Sequence, residues 1–156
     1  MGAQRQTWWR KRNRLDREVY RGAATFAVTM TTWQRRRAFV TAEEVGRYRE
    51  MLEDTGRSCS FHILAYCFMP DHLHVLLQGA EESRLIPFVQ RFKQATGYWF
   101  KERTGTTLWQ RSFYDHVLRG EEDIGDVAEY IWSNPVRAGL VLDRDDYPYW
   151  GPRGQT

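Results

Sequence analysis

The chain has 156 residues, a length typical of one domain, and 42% of them are hydrophobic and 15% aromatic, which is enough to form a core. The formal net charge is only +3, and the two cysteines, Cys59 and Cys67, belong to no C-x-x-C pair, which excludes a zinc ribbon and a disulfide framework. No apolar run approaches the ~18 residues that span a membrane, and the N-terminus lacks an apolar signal core, so we expect a reducing, cytoplasmic setting.

Positive charge is concentrated at the N-terminus, in "RQTWWRKRNRLDR", where basic residues surround Trp8 and Trp9. Basic clusters beside aromatic rings suit a phosphate backbone with unstacked bases, although a solvated basic arm would have the same composition. We assign residues 1–19 to a basic arm, 20–150 to the domain and 151–156 to a short tail. The candidate phosphate-binding residues of the arm are Arg5, Arg10, Lys11, Arg12 and Arg14.

The first predicted elements are a strand and a helix. "RGAATFAVTMTTW" alternates Phe26, Val28 and Met30 with threonine and alanine, which predicts a half-buried strand. The run "QRRR", with Arg35, Arg36 and Arg37, follows it and is a second basic cluster of the kind that suits a phosphate backbone. "TAEEVGRYREMLEDTG" then opens on Thr41, with a glutamate three residues later in a capping-box pattern, and we expect this helix to end before Gly56.

Two strands and a second helix come next. "SCSFHILAYCF" and "HLHVLLQG" read as strands joined by a tight Pro-Asp turn. The segment 84–103 is predicted to be helical, with Pro87 in its first turn. Its apolar stripe is Leu85, Val89, Phe92, Ala95 and Trp99, and Arg91 and Lys93 supply positive charge beside it.

"TLWQRSFYDHVLRG" predicts a fourth strand, and "EEDIGDVAEYIWSNP" a last helix that Pro135 ends. The element order is therefore βαββαβα. This order predicts an α+β fold, a ferredoxin-like or RRM-like sandwich with a central antiparallel four-stranded sheet.

His72 and His74 lie two residues apart in a predicted strand. Residues at i and i+2 of a strand share one face, so the two imidazoles project side by side and could chelate a divalent ion with positions left open for a substrate. From this short pattern alone, two histidines without a special role remain the simpler interpretation.

The last helix offers two further polar groups. At about 100° per residue, Val127, Ala128 and Ile131 form the core stripe, and Tyr130 and Asn134 lie together on its flank. Phosphoryl transfer suits these groups, because a metal can orient a phosphate while a tyrosine oxygen attacks it. The alternative for Tyr130 is a packed ring with a solvated hydroxyl.

Three segments carry a resemblance to a known family: "YCFMPDHLHVLL" (66–77), "LWQRSFYDHVLR" (108–119) and "YIWSNPVRAGLV" (130–141), followed by "YPYW" (147–150). Together they resemble the HUH single-tyrosine transposases, and most closely the REP-associated tyrosine transposases. The resemblance covers about residues 20–150. It implies a metal-dependent endonuclease and strand transferase that cleaves single-stranded DNA through a 5′-phosphotyrosine intermediate.

The resemblance assigns roles to individual positions. Tyr130 would be the nucleophile, and His72, His74 and Asn134 would be ligands of Mg²⁺ or Mn²⁺. Asp115 and His116, in "FYDHVLR", would be sheet residues near the site, with His116 either a backup ligand or a hydrogen-bonded structural histidine.

The resemblance also implies a DNA substrate, a location in the cell and an oligomeric state. The substrate would be hairpin DNA of the kind found in repetitive extragenic palindromes, with candidate DNA contacts on the basic arm and at Arg91 and Lys93. The protein would be nucleoid-associated, with a monomer favoured over a dimer. A replication initiator with the same HUH chemistry is one alternative. A non-catalytic RRM-like nucleic-acid-binding protein is another, although the aromatic RNP1 pattern of an RRM is missing.

Overall fold

The computed structural model describes residues 22–153, and the predicted basic arm with Arg5, Arg10, Lys11, Arg12 and Arg14 lies outside the described residues. The strands are β1 (Thr25–Thr31), β2 (Phe61–Met69), β3 (His72–Gly79), β4 (Tyr114–Val117) and β5 (Trp150–Gly151). The helices are α1 (Ala42–Cys59), α2 (Leu85–Thr104), α3 (Ile124–Trp132) and α4 (Asn134–Arg137). Short 3-10 turns occupy Trp33–Arg35 and Arg144–Asp146.

The strands form one antiparallel sheet in the order β4-β1-β3-β2-β5. The first four strands follow the predicted βαββαβα order, so the α+β sandwich expected from the sequence is confirmed. The sheet has five strands rather than four, because Trp150 and Gly151 pair with Cys67 and Tyr66 at the β2 edge. The boundary predicted after residue 150 therefore falls inside β5.

Each face of the sheet is covered by helices. Phe26, Val28 and Met30 of β1 belong to the larger core, which also takes in residues of α1 and α2. Ala27, with Leu76 of β3 and Cys67 of β2, belongs to a second core on the opposite face, which α3 covers. All seven residues of β1 are therefore buried, and the prediction of a half-buried strand is wrong. Alternation of residue types cannot reveal a helix packed on the more polar face.

Helix α1 begins as predicted, since the Thr41 side chain accepts a hydrogen bond from the backbone N–H of Glu44. It ends three residues beyond Gly56, at Cys59, and Ser60 in the left-handed conformation caps it. Gly56 is instead a packing residue, because a Cβ there would lie 2.9 Å from the carbonyl oxygen of Phe61. A glycine near a helix end therefore misled the boundary prediction.

Helix α2 has the predicted first turn, with Pro87 as its third residue. Its buried stripe differs in the second half, where Thr96 and Phe100 are buried and Ala95 is exposed. Thr96 satisfies its hydroxyl by donating to the carbonyl of Phe92 and accepting from Trp109 Nε1, which explains how a polar residue replaces an apolar one.

The region after α2 differs most from the prediction. Only four residues form β4, and Trp109 makes a separate bridge to Thr32. Helix α3 ends at Trp132, and Pro135 does not end a helix but lies in the first turn of α4. The C-terminal segment packs against α3, since Trp132 Nε1 donates to the carbonyl of Gly151.

Within residues 22–153, none of the helices combines the length and the apolar character that crossing a bilayer requires.

Candidate metal and nucleic-acid site

The two histidines of β3 are brought together as the sequence predicts. His72 Nε2 and His74 Nε2 lie 3.1 Å apart, with the rings perpendicular at a centroid distance of 4.7 Å. A cation that holds two ligands at a right angle and at about 2.1 Å each needs those ligands about 3.0 Å apart. The separation of the two nitrogens therefore fits a shared divalent ion.

Both imidazoles are held in the neutral form that a metal requires. Burial lowers the pKa of His74 well below its ordinary value, and the nearby His72 and the charge of Arg137 lower it further. Burial also lowers the pKa of His72, against the opposing effect of Asp71. The lone pairs are thus available near neutral pH.

The outer nitrogen of each ring has a fixed partner. His72 Nδ1 donates to Asp71 Oδ1 at 2.7 Å, which leaves the lone pair of His72 on Nε2. His74 Nδ1 lies 2.9 Å from the hydroxyl of Thr29, its register partner on β1. Because a hydroxyl can donate or accept, Thr29 can satisfy either tautomer of His74, including the one that turns the Nε2 lone pair towards His72.

Asp71 links the histidines to a strained arginine. Arg35 Nε donates to Asp71 Oδ2 at 3.0 Å. Burial acts to raise the pKa of Asp71, but hydrogen bonds from His72 and Arg35 outweigh it and hold the pKa below its usual value. Gln34 and Arg35 both have left-handed backbone angles, with φ of 55° and 53°. Two such residues in succession cost on the order of 1–3 kcal/mol each, and strain of this kind clusters at functional sites.

A pocket of about 200 Å³ opens beside the imidazoles. Tyr114 reaches it from β4, because Tyr114 pairs with Thr29 and Thr29 pairs with His74, so the three side chains share one face of the sheet. The lining residues are Thr29, Thr31, Arg35, His72, His74 and Tyr114. The pocket thus combines a chelating pair with one cation and one aromatic ring.

Helix α3 lies on the same side of the sheet as the histidines. Its buried residues Val127, Ala128 and Ile131 pack against Leu76 and Cys67, which share the face of His74. Tyr130, half-buried on α3, does not line the histidine pocket. The connection between the two groups is Arg137, whose guanidinium lies 3.5 Å from the centre of the Tyr130 ring and lowers the pKa of His74.

Asn134 is not on the same helix as Tyr130, because α3 ends at Trp132 and Asn134 begins α4. Its Nδ2 donates to the carbonyl of Ile131 at 3.1 Å, and its Oδ1 accepts from Arg137 at 2.6 Å. Within residues 22–153, no third His, Cys, Asp or Glu completes a metal cluster with the histidines. The amide oxygen of Asn134 as third ligand stays a prediction.

The structure separates Asp115 from His116. His116 is the register partner of Ala27 and shares the histidine face, whereas Asp115 pairs with Val28 and shares the opposite face. His116 Nε2 donates to Glu122 Oε2 at 2.6 Å, and Glu122 Oε1 accepts from the backbone of Arg119, so this pair closes the β4–α3 connection.

The two candidate DNA contacts of α2 lie across the sheet from the histidines, since α2 packs on the larger core. Lys93 Nζ donates to the carbonyls of Gln110 and Ser112, at 2.7 and 2.9 Å, and so supports the segment before β4. Arg91 is exposed.

Comparison with known proteins identifies the family to which the chain belongs. The model of the family described as "Transposase IS200 like" matches residues 24–134, which is more than half of the chain. The chain belongs to the IS200-like transposase family. The resemblance seen in the sequence is thereby confirmed, and the histidine strand and α3 both lie in the matched part of this transposase.

Individual relatives agree with the family. The transposase is 27% identical over 145 residues to a Haemophilus influenzae protein provisionally described as a REP-associated tyrosine transposase, covering 85% of this chain and 81% of the relative. It is also 27% identical over 138 residues to the REP-associated tyrosine transposase of Escherichia coli K12, covering 85% and 79%. The fold matches a REP-associated tyrosine transposase bound to a REP hairpin, with TM-score 0.73, 22% identity and coverage of 90% and 81%.

The sequence did not place four residues at the candidate site: Thr29, Arg35, Asp71 and Tyr114. Of these, Arg35 was noted only as part of a basic run. Only strand register brings Thr29 and Tyr114 to the histidines. The usable signal was the alternation of β1, which placed Thr29 on the more polar face of its strand.

Proposed function

We propose that this transposase is a metal-dependent enzyme that nicks and rejoins single-stranded DNA through a covalent bond to Tyr130. The observation that carries the proposal is the pair of neutral imidazoles with Nε2 atoms 3.1 Å apart, on the sheet face that α3 covers. The family supports a transposase activity, and the chemistry of the named residues supports this mechanism.

His72 and His74 would hold Mg²⁺ or Mn²⁺, and the amide oxygen of Asn134 would complete the ligand set. When bound, the ion would withdraw charge from a phosphate oxygen and orient the phosphate for attack. Asp71 and Thr29 would fix the two rings, because partners on the outer nitrogens hold the inner lone pairs in place.

Tyr130 would supply the nucleophile. Its phenolic oxygen forms a bond to phosphorus while the bond from phosphorus to the 3′ oxygen breaks, and the 5′ phosphate stays on the tyrosine. The phenol gives up its proton and the departing 3′ oxygen takes one, so the step is balanced. The reverse attack by a 3′-OH rejoins the strand without another energy source.

The DNA partner follows from the relatives. The structural relative binds a REP hairpin, and we propose a REP-like hairpin with single-stranded flanks as the substrate of this chain. A single copy could act alone, because α3 packs on the histidine face of its own sheet. A replication initiator would use the same chemistry, and a pure binding protein would lack the covalent step.

The test is covalent capture of DNA. Hairpin oligonucleotides labelled at the 5′ or the 3′ end are incubated with the protein and Mn²⁺ and separated on denaturing gels. We expect label from the 3′-side fragment to move with the protein, and we expect this adduct to disappear in Tyr130→Phe, in His72→Ala and in EDTA.

Tyr114→Phe is the matched control, because Tyr114 also lies on the histidine face. An adduct that survives in Tyr130→Phe and is lost in Tyr114→Phe would show that the nucleophile is Tyr114 and not Tyr130. Tight binding of the hairpin without any adduct in the wild type would establish a non-catalytic binding protein.

A further inference from the structure

The pocket beside the histidines holds one cation and one aromatic ring that the proposed mechanism does not use, Arg35 and Tyr114. Arg35 comes from the "QRRR" run, and of the three consecutive arginines it is the one that lines this pocket. Arg36 instead donates to Thr106, and Arg37 is exposed outside the pocket. The fold therefore places one arginine of this basic run next to the chelating pair.

Arg35 has donors available for a ligand. Among the described residues, its ion pair with Asp71 uses only the Nε–H, while the guanidinium carries five N–H donors. The side chain is 64% exposed, so solvent and substrate can reach it. The left-handed backbone of Arg35 costs conformational free energy. Because this strain is kept beside a chelating pair, we infer that the direction of the Arg35 side chain matters for function.

Tyr114 brings an aromatic surface to the same pocket. It lies in one cross-strand row with Thr29 and His74, so its ring is held on the sheet rather than on a loop. An aromatic ring beside a cation is the combination that binds single-stranded nucleic acid, with the cation on a phosphate and the ring on a base.

We propose that Arg35 and Tyr114 form the subsite for the DNA phosphate that is cleaved: Arg35 neutralises one non-bridging oxygen, and Tyr114 stacks on the adjoining base. This inference rests on the proposed function, because it takes the histidine pocket to be the place of cleavage. Arg35 is then a substrate-binding residue as well as the partner of Asp71.

The test measures binding, so that it does not depend on catalysis. The cleaved phosphate is first mapped with the wild-type protein, Mn²⁺ and a labelled hairpin oligonucleotide with single-stranded flanks. The same oligonucleotide is then made with a neutral methylphosphonate at that one position. Affinity is measured by fluorescence anisotropy in EDTA for Tyr130→Phe and for the double variant Tyr130→Phe/Arg35→Ala.

We expect the methylphosphonate to weaken binding by about 10-fold in Tyr130→Phe, the size expected of one charge-assisted hydrogen bond, and to have no effect once Arg35 is removed. A methylphosphonate two nucleotides away should weaken both proteins equally. Arg37→Ala, which removes the same charge two residues along the chain, should keep the full response to the modified phosphate.

The ring is tested in the same assay. Tyr114→Phe should bind as tightly as the parent, and Tyr114→Leu should lose about 10-fold in affinity, because stacking needs the ring and not the hydroxyl. An abasic site beside the cleaved phosphate should abolish the difference between Phe and Leu.

An equal response to the methylphosphonate with and without Arg35 would overturn the inference and leave Arg35 as a support for Asp71 alone. A failure of the proposed function is recognised separately, as a covalent adduct that persists in Tyr130→Phe.

Discussion

The guanidinium carbon of Arg137 lies 3.5 Å from the centre of the Tyr130 ring, which is a close cation–π contact. The same side chain donates to the carbonyl oxygen of Tyr130 at 3.0 Å and to Asn134 Oδ1 at 2.6 Å. One arginine therefore holds both the proposed nucleophile and the proposed third ligand, although these residues lie on two different helices.

Arg137→Ala should slow formation of the covalent adduct about 100-fold, because a nucleophile displaced by about 1 Å loses reactivity on this scale. The measurement is the single-turnover rate with saturating Mn²⁺ and hairpin DNA. Arg137→Lys should recover part of the rate, since an ammonium keeps the charge but lacks the planar guanidinium that covers the ring while its Nη2 donates to both oxygens.

Arg103→Ala is the matched control for this change. Arg103 also covers a ring on a helix, at 4.3 Å from the centre of Trp99, but it lies on α2, across the sheet from the histidines. Its loss should leave the adduct rate unchanged. A wild-type rate in Arg137→Ala would show that Arg137 does not position the reacting groups.

The histidine pair on β3 and the residues of α3 and α4 together show what the local sequence can and cannot predict. The i, i+2 spacing of His72 and His74 fixed their shared face, because strand geometry has a period of two. Helical spacing placed Val127, Ala128 and Ile131 in the core correctly. It failed at Asn134, because one helix ends at Trp132 and the next begins at Asn134, a break that periodicity cannot show.

Residues that reach the site through tertiary pairing were beyond sequence reasoning. Tyr114 and Thr29 come to His74 only through the register of β4 on β1 and of β1 on β3. Arg35 depends on a left-handed backbone at two non-glycine residues, which propensity argues against. The strand register and the left-handed backbone both arise from non-local packing, so the local sequence does not reveal them.

Thr29→Val should weaken binding of Mn²⁺ to the histidine pair by about 10-fold, because the tautomer that binds metal needs an acceptor for its Nδ1–H. Valine keeps the volume and the β-branched shape of threonine and so should preserve the strand. The measurement is isothermal titration calorimetry of the DNA-free protein.

Thr31→Val provides the comparison, because Thr31 is also buried, lies opposite His72 and lines the same pocket. The partner of His72 Nδ1 is Asp71, not Thr31. We expect unchanged metal affinity in Thr31→Val, and equal losses in both variants would mean that the effect is one of packing.

The two thiols should differ in reactivity. Burial raises the pKa of Cys67 to about 12, so this residue stays a protonated thiol at neutral pH, and the thiolate is the reactive form. Cys59 lies at the end of α1 and is partly exposed. Iodoacetamide at pH 8 should therefore label Cys59 first in the folded protein and both residues in urea, as read by peptide mass spectrometry. Labelling of Cys67 at the rate of Cys59 in the folded state would contradict this.

Two glycines of α1 should respond to the same substitution with opposite signs. Gly46 has no atom within 4 Å of an added Cβ, so Gly46→Ala should raise the free energy of unfolding by about 0.5–1 kcal/mol through helix propensity. Gly56 is buried, and a Cβ there would lie 2.9 Å from Phe61 O and 3.2 Å from Ile63 Cδ1. Gly56→Ala should therefore lower the free energy of unfolding by about 1–3 kcal/mol, the usual cost of overpacking.

Urea unfolding followed by circular dichroism measures both changes, with the two midpoints moving in opposite directions. The carbonyl of Phe61 belongs to the first residue of β2, so α1 could make room only by moving away from the start of that strand. Because β2 carries Cys67 and Met69 alongside the histidines, Gly56→Ala also tests whether the site tolerates such a movement. A stabilising effect of Gly56→Ala would mean that the contact between α1 and β2 is looser than the distances require.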